Sequence, residues 1–297
     1  MKELLAVVLI CCSFVAVAKP QIIAHRAGTE DAPENTLLAI DKSLENGVDA
    51  VWITLQLTKD GIPVLYRPSK LEELTNSKGA VSAYTLSELS NTDAGWSFGG
   101  DSHPYRGKDI RIPTLKEVLT RYPSTFFYLD IKSPDADPSR FAQALAEVLK
   151  DKENLNRVRV YSTDAKYLAA LPESIPRFES RDDTRTRLAN ISLSHSCDVP
   201  TKDKQARWYG LELKRQVEVV ETFTLGEGRS KATLTWDKEA MDCFRSSGNV
   251  HIILFGINNQ QDYQTAVKLG ADGVMVNSPQ KFAAISGKKK PKVVTAK

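Results

Sequence analysis

The chain of 297 residues offers no apolar run beyond Val15 that could cross a bilayer, because a spanning helix needs about 20 apolar residues. It also has no internal repeat and no linker that would divide it. Cysteine is scarce. Of four cysteines, Cys11 and Cys12 fall within the first 18 residues, leaving Cys197 and Cys243. These two could form a disulfide or stand as two separate buried thiols, and the spacing leaves both open. Net charge of one sign is missing as well. The formal +3 arises in the stretch 287–297, which holds five lysines and no acid, so removing those five leaves the rest at −2. That balance argues against a nucleic-acid-binding body. The lysine-rich end reads as a solvated, disordered tail whose one candidate partner is anionic lipid, touched weakly.

What is present begins with Met1-Lys2-Glu3, an apolar stretch from Leu4 to Val15, and Ala16-Val17-Ala18 before Lys19-Pro20. A short n-region, about a dozen apolar residues and a small-x-small site describe a secretory signal cleaved after Ala18. The expected organisation is therefore a signal over 1–18, one domain over 19–286, and a basic tail over 287–297. The protein is expected to be exported, to the periplasm or beyond. The remaining length suits one domain with a substantial core.

The stretch from Ile22 to Pro68 organises the rest. Ile22-Ile23-Ala24 before His25-Arg26-Ala27-Gly28 predicts a buried strand that opens into a polar loop. Pro33-Glu34-Asn35-Thr36 precedes a helical pattern (Leu37, Leu38, Ile40, Leu44) closed by Asn46-Gly47. Ala50 to Leu57 then alternates cleanly. Val51, Ile53, Leu55 and Leu57 share one face, and Trp52, Thr54 and Gln56 share the other. Asp60-Gly61 turns the chain back through Val64-Leu65-Tyr66 to Arg67-Pro68.

These residues resemble the glycerophosphodiester phosphodiesterase family. The likeness continues in Ile112 to Leu119, in Tyr128-Leu129-Asp130-Ile131-Lys132, in Phe255 to Asn259, and in Leu269 to Pro279. The resemblance implies an α/β chain folded as a (β/α)8 barrel. It also implies hydrolysis of phosphodiesters by two histidines and a divalent metal held by carboxylates. His25 matches the family's first histidine. The other positions depart from the pattern. Trp52 and Thr54 stand where the family carries the Glu-x-Asp metal pair. Arg67-Pro68 replaces His-Asp, and Asp130 replaces the third metal carboxylate, a Glu.

A hard divalent cation wants several carboxylate oxygens and would find essentially one carboxylate, Asp130. No cofactor is expected, with Ca2+ or Mg2+ at most weakly held there. Arg67 carries a permanent charge, so it can bind phosphate but cannot shuttle protons near neutrality. The expected site is His25 as acid/base, with Arg26, Arg67 and Lys132 holding phosphate and few acids to offset them. The expected ligand is a small phosphate-bearing molecule of the glycerophosphodiester kind. Two functions follow. In one, the barrel binds such a ligand with its metal-dependent hydrolysis lost or very slow, as in a pseudoenzyme. In the other, a divergent phosphodiesterase acts on glycerophosphodiester or lysophospholipid head groups with a weakened or rebuilt site.

Elsewhere, Trp96, Phe98 and Tyr105 in the long connection 70–113 are expected to pin that loop rather than to wall a site. His195 reads as a surface residue. His251 is expected to open its strand at the barrel's lower end. The stretch 181–190 resists assignment, and Gly226 to Lys231 reads as an added loop or hairpin.

Overall fold

The computed structural model describes residues 19–200 and 203–287. The secretory signal and all but the first residue of the basic tail lie outside the described residues. β1 (Gln21–Ala24) passes through one 3-10 turn into α1 (Leu37–Glu45) and β2 (Ala50–Leu57), and β3 (Pro63–Leu65) folds back on β2. The long connection holds α2 (Leu86–Leu89). Then come α3 (Leu115–Arg121), β4 (Phe126–Ile131), α4 (Pro138–Val148), α5 (Lys152–Asn156) and β5 (Val158–Ser162). α6 (Ala165–Ala170), α7 (Arg181–Ser194), β6 (Asp203–Glu212), β7 (Lys214–Phe223) and β8 (Gly226–Thr235) follow. The chain closes with α8 (Lys238–Ser246), β9 (Gly248–Phe255), α9 (Gln260–Leu269), β10 (Gly273–Val276) and α10 (Pro279–Ser286).

The parallel strands run β5-β4-β2-β1-β10-β9-β6. The opening between β5 and β6 is spanned by residues 176–179. Val160 N donates to Pro176 O at 2.8 Å, Phe178 N donates to Val160 O at 2.9 Å, and Glu179 N donates to Trp208 O at 2.8 Å. With that short segment as one of its eight staves, the sheet closes into a (β/α)8 barrel. Closure leaves no long unpaired edge between those staves.

The alternation in β2 sorts the core into two layers. Val51, Ile53, Leu55 and Leu57 pack outward with the helices, beside Leu115, Val118, Phe141 and Leu145. Trp52 points inward and packs with Tyr128, Tyr161, Phe178 and Phe255, ring centroids 5.0–5.9 Å away. The barrel's middle is thus a plug of aromatic rings, and polar chemistry is confined to the layer above it.

The long connection is pinned by its aromatics. Arg106 lies 4.1 Å over the Trp96 ring, Phe98 packs on Tyr105, and Lys42 Nζ donates to Tyr105 Oη at 2.6 Å. Several expectations change. Residues 181–194 form the helix α7, anchored by the buried Thr184, Leu188 and Ile191. The hairpin near Gly226 is far longer than the sequence suggests, pairing Lys214↔Thr235 through Phe223↔Gly226. β9 begins at Gly248, so His251 lies inside the strand and stacks on Trp208 at 4.1 Å. His195 is exposed, as expected, and its Nδ1 lies 2.9 Å from Glu239 Oε2. Cys197 and Cys243 are joined as a disulfide.

Candidate functional site

β1 ends at Ala24, paired with Val276 of β10, so His25 and Asn277 leave the sheet side by side. The backbone after His25 is forced into the left-handed region at two non-glycine residues, Arg26 (φ 47°) and Ala27 (φ 64°), and again at Asn35 (φ 58°). Such conformations cost ~1–3 kcal/mol each and persist only where surrounding contacts hold them. Here Gly28 lets the turn close against Pro279 and Ser43, where a Cβ would meet atoms at 3.1 and 3.2 Å. Asn35 is tied on both sides: its N donates to Arg26 O at 2.9 Å, and its Oδ1 accepts from Thr54 N at 2.9 Å.

His25 Nδ1 lies 2.8 Å from Asn277 Oδ1. An amide oxygen can only accept, so Nδ1 carries the proton and Nε2 of the neutral ring is an acceptor. Burial, reinforced by the charge of Arg26 and opposed by the Asn277 hydrogen bond, lowers the His25 pKa to about 4. The ring is therefore neutral near pH 7, suited to take a proton rather than to neutralise a phosphate.

Thr54, Asp130 and Tyr161 are register partners across β2, β4 and β5, forming one inward row above Trp52. Asp130 is 4% exposed. Its Oδ2 accepts from Trp52 Nε1 at 3.4 Å and lies 3.8 Å from Lys132 Nζ, whereas its Oδ1 has no partner. Burial raises the Asp130 pKa, opposed chiefly by Lys132; burial lowers that of Lys132, opposed by Asp130. Each thus favours the charged form of the other, against the burial of both. Lys132 Nζ also donates to Thr163 Oγ1 at 3.1 Å. Among the described residues, no group of three His, Cys, Asp or Glu side chains is placed to hold a metal.

His25, Arg26, Trp52, Asp130 and Lys132 all line one cavity of about 360 Å3 at the C-terminal ends of the strands. In (β/α)8 barrels that face carries the chemistry. The basic groups do not form the single unopposed ring expected from the sequence. Arg26 Nη1 donates to Glu34 Oε2 at 2.8 Å, because the left-handed turn brings the guanidinium back over its own loop. Arg67 is exposed and lines an adjoining cleft of about 320 Å3, with Lys132 and Thr163 bordering both spaces. The sequence reading also missed part of the wall. Tyr161 and Glu212 line the cavity from the ends of β5 and β6, and Arg181 lines it from the first residue of α7. Arg181 Nη2 donates to Glu212 Oε1 and Oε2 at 2.8 and 3.0 Å, and Arg215 also pairs with Glu212. Tyr161 was findable, since it sits beside a strand's C-terminal end; Arg181 lay in a stretch with too few apolar residues to assign.

Comparison with known proteins bears on this geometry. The glycerophosphoryl diester phosphodiesterase family model matches residues 25–281. The uncharacterized protein Rv2277c of Mycobacterium tuberculosis is 43% identical over 267 residues, covering 88% of this chain and 87% of that protein. The crystal structure of its glycerophosphoryl diester phosphodiesterase domain superposes with a TM-score of 0.83 at 41% identity, covering 92% of this chain and all of that one. A glycerophosphodiester phosphodiesterase of Bacillus subtilis is 26% identical over 270 residues, 88% of this chain and 84% of its own. An Oleispira antarctica phosphodiesterase, solved in complex with the product sn-glycerol-3-phosphate, shares the fold at 21% identity and a TM-score of 0.61, covering 91% of this chain and 98% of that one. With its barrel, its His25-Arg26 turn and its inward row on β2 and β4, this chain belongs to the glycerophosphoryl diester phosphodiesterase family.

Proposed function

We propose that this protein is an exported, phosphate- or phosphodiester-binding member of its family in which ordinary metal-dependent hydrolysis is lost or very slow. The observation that carries the reading is the place of Trp52 and Thr54. Both face inward on β2, where the family resemblance puts a carboxylate pair, and Trp52 lies buried against Asp130. A divalent Ca2+ takes 6–8 oxygen ligands and Mg2+ six, mostly carboxylates, carbonyls and water. Of the two carboxylates lining the cavity, Glu212 is held by Arg181 and Arg215, and Asp130 has one oxygen already engaged by an indole and an ammonium. The residues do not fit a divalent cation. Lys132 supplies positive charge beside Asp130 instead.

The acid–base complement is equally thin. His25 is a single neutral imidazole, and Arg67 stays charged throughout the useful pH range. Attack on a phosphodiester needs proton transfer at the attacking and the leaving oxygen, and losing one such group typically costs ~10²–10⁴-fold in rate. Binding asks less. Lys132, Arg67 and Arg26 bring positive charge to two adjoining cavities, and a relative of the same fold holds sn-glycerol-3-phosphate. Export is supported by the signal-like first 18 residues and by the Cys197–Cys243 disulfide, a bond favoured in oxidising compartments.

The deciding experiment is an assay of the purified protein on glycerophosphocholine with Mg2+ or Ca2+, alongside calorimetry with sn-glycerol 3-phosphate. Binding without turnover at the ~1–10³ s⁻¹ usual for enzymes is expected. Robust hydrolysis abolished by a chelator would overturn the reading.

A further inference from the structure

Tyr161 poses a question that the family resemblance leaves unanswered. Its side chain is 2% exposed, it lines the site cavity, and its hydroxyl has no hydrogen-bond partner. An unsatisfied buried hydroxyl costs ~1–3 kcal/mol, and the nearby groups do not relieve it. Glu212 is taken up by Arg181 and Arg215, and Asp130 Oδ2 by Trp52 and Lys132. The same cavity wall carries the donors Arg181 and Lys132 together with the carboxylates Asp130 and Glu212, both already engaged by cations. Arg181 uses only Nη2 on Glu212, and Lys132 donates to Thr163 while keeping further N–H bonds in hand. Arg181, Asp130 and Glu212 all act electrostatically on the Tyr161 phenol, Arg181 coming close enough to approach a hydrogen bond, which places the four in one neighbourhood.

We infer that Tyr161, Arg181 and Lys132 form the subsite for the ligand's anionic group, a phosphoryl oxygen accepting from the Tyr161 hydroxyl between the two cations. This rests on the phosphate-binding reading above and deepens it, by moving the anion away from Arg26 toward the wall built by β5 and α7. The opposite side of the cavity suits the rest of the ligand. There His25 Nε2 is an acceptor without a protein partner and matches a hydroxyl donor, and Asp130 Oδ1, beside Tyr161 in the β4–β5 register, offers a second free acceptor. The ligand class is accordingly a phosphorylated small polyol, with the phosphate on the Tyr161 side and the hydroxyls toward His25.

The test is calorimetric titration of the full chain with inorganic phosphate and with sn-glycerol 3-phosphate, in the parent, Tyr161→Phe, Arg181→Met and Arg67→Ala. Tyr161→Phe keeps the ring that packs on Trp52 and Phe255, so the fold is retained. Removing a hydrogen bond to a charged group should weaken both ligands roughly tenfold or more in Tyr161→Phe. The thermal midpoint without ligand should hardly change, because the deleted hydroxyl makes no well-formed hydrogen bond. Arg181→Met should weaken both ligands as well. Unchanged affinity in Tyr161→Phe, with weakened affinity in Arg67→Ala, would place the anion in the neighbouring cleft and overturn this inference while sparing the phosphate-binding reading. Failure of the parent to bind either probe would overturn both.

Discussion

His25 and Asn277 continue the β1–β10 pairing beyond the last register pair, and their side chains meet at 2.8 Å, so the sheet itself sets the tautomer of the site's one imidazole. Through this contact the amide oxygen fixes a proton on Nδ1 and leaves Nε2 bare.

The first prediction concerns that contact. In the folded protein the His25 pKa lies at about 4, against 6.5 for an unperturbed imidazole, mainly through burial. A depressed folded pKa means that the unfolded chain binds the extra proton first as pH falls. The associated stability is therefore complete above about pH 6.5 and is lost as pH drops toward 4, amounting to roughly 3 kcal/mol at most. NMR titration should find the His25 ring neutral down to about pH 5, and Asn277→Asp should raise its pKa by placing an anion beside Nδ1. A ring that titrates near 6.5 in the parent would refute the buried, neutral assignment.

A second prediction follows from the disulfide. It ties the segment after α7 to α8 across 46 residues of chain. Loop-closure entropy gives such a bridge about 4 kcal/mol of stabilisation. Cys197→Ser with Cys243→Ser should lower the urea midpoint and raise the m-value, because the unfolded chain without its cross-link exposes more surface. Equal midpoints with and without reductant, together with two free thiols by mass spectrometry, would show that the pair is not bridged.

Third, Trp52 should be worth more to the fold than any other side chain of its strand. It fills the barrel between Tyr128, Tyr161, Phe178 and Phe255 and is 2% exposed. Trp52→Ala should cost ~3–5 kcal/mol in denaturant unfolding, since four rings cannot collapse into the space one indole leaves. Trp52→Phe should cost clearly less. Equal losses in the two variants would mean that the indole's polar contact with Asp130, rather than its volume, is what the core needs.

The inward and outward faces of β2 were readable because strand periodicity is strict, and the helical layer and the barrel interior both demand apolar or aromatic partners. The motif around His25 was readable for its residue types, yet the Arg26–Glu34 pair was not. That contact depends on a left-handed backbone at Arg26, which no side-chain pattern announces. α7 escaped because Thr184, Leu188 and Ile191 are its buried residues, and a fourteen-residue helix with so narrow an apolar stripe looks like a charged loop. With α7 unassigned, Arg181 could not be brought to Glu212, and one wall of the cavity stayed invisible. Tyr161 was in view as a strand residue, but its unpaired hydroxyl is a property of the packed barrel alone.

The last prediction rebuilds what β2 and β3 do not supply. Trp52→Glu and Thr54→Asp would set two carboxylates on the inward face of one strand, beside Asp130, which is Thr54's register partner on β4. Residues two apart on a strand face lie ~6.6 Å apart along the chain, close enough to share one ion. Arg67→His removes a fixed positive charge and returns a second group able to transfer protons. Without metal the triple variant should be much less stable than the parent, for it loses the indole from the aromatic plug and crowds carboxylates together in a buried layer. Ca2+ should reverse part of that loss, because an ion bound only by the folded state stabilises it in proportion to the logarithm of its concentration. The thermal midpoint of the variant should therefore climb with added Ca2+ while the parent's stays flat, and some hydrolysis of glycerophosphocholine should appear. A folded variant whose midpoint ignores Ca2+ would show that positions 52, 54 and 130 do not converge on one ion, and the metal-site correspondence drawn from the family resemblance would fall with it.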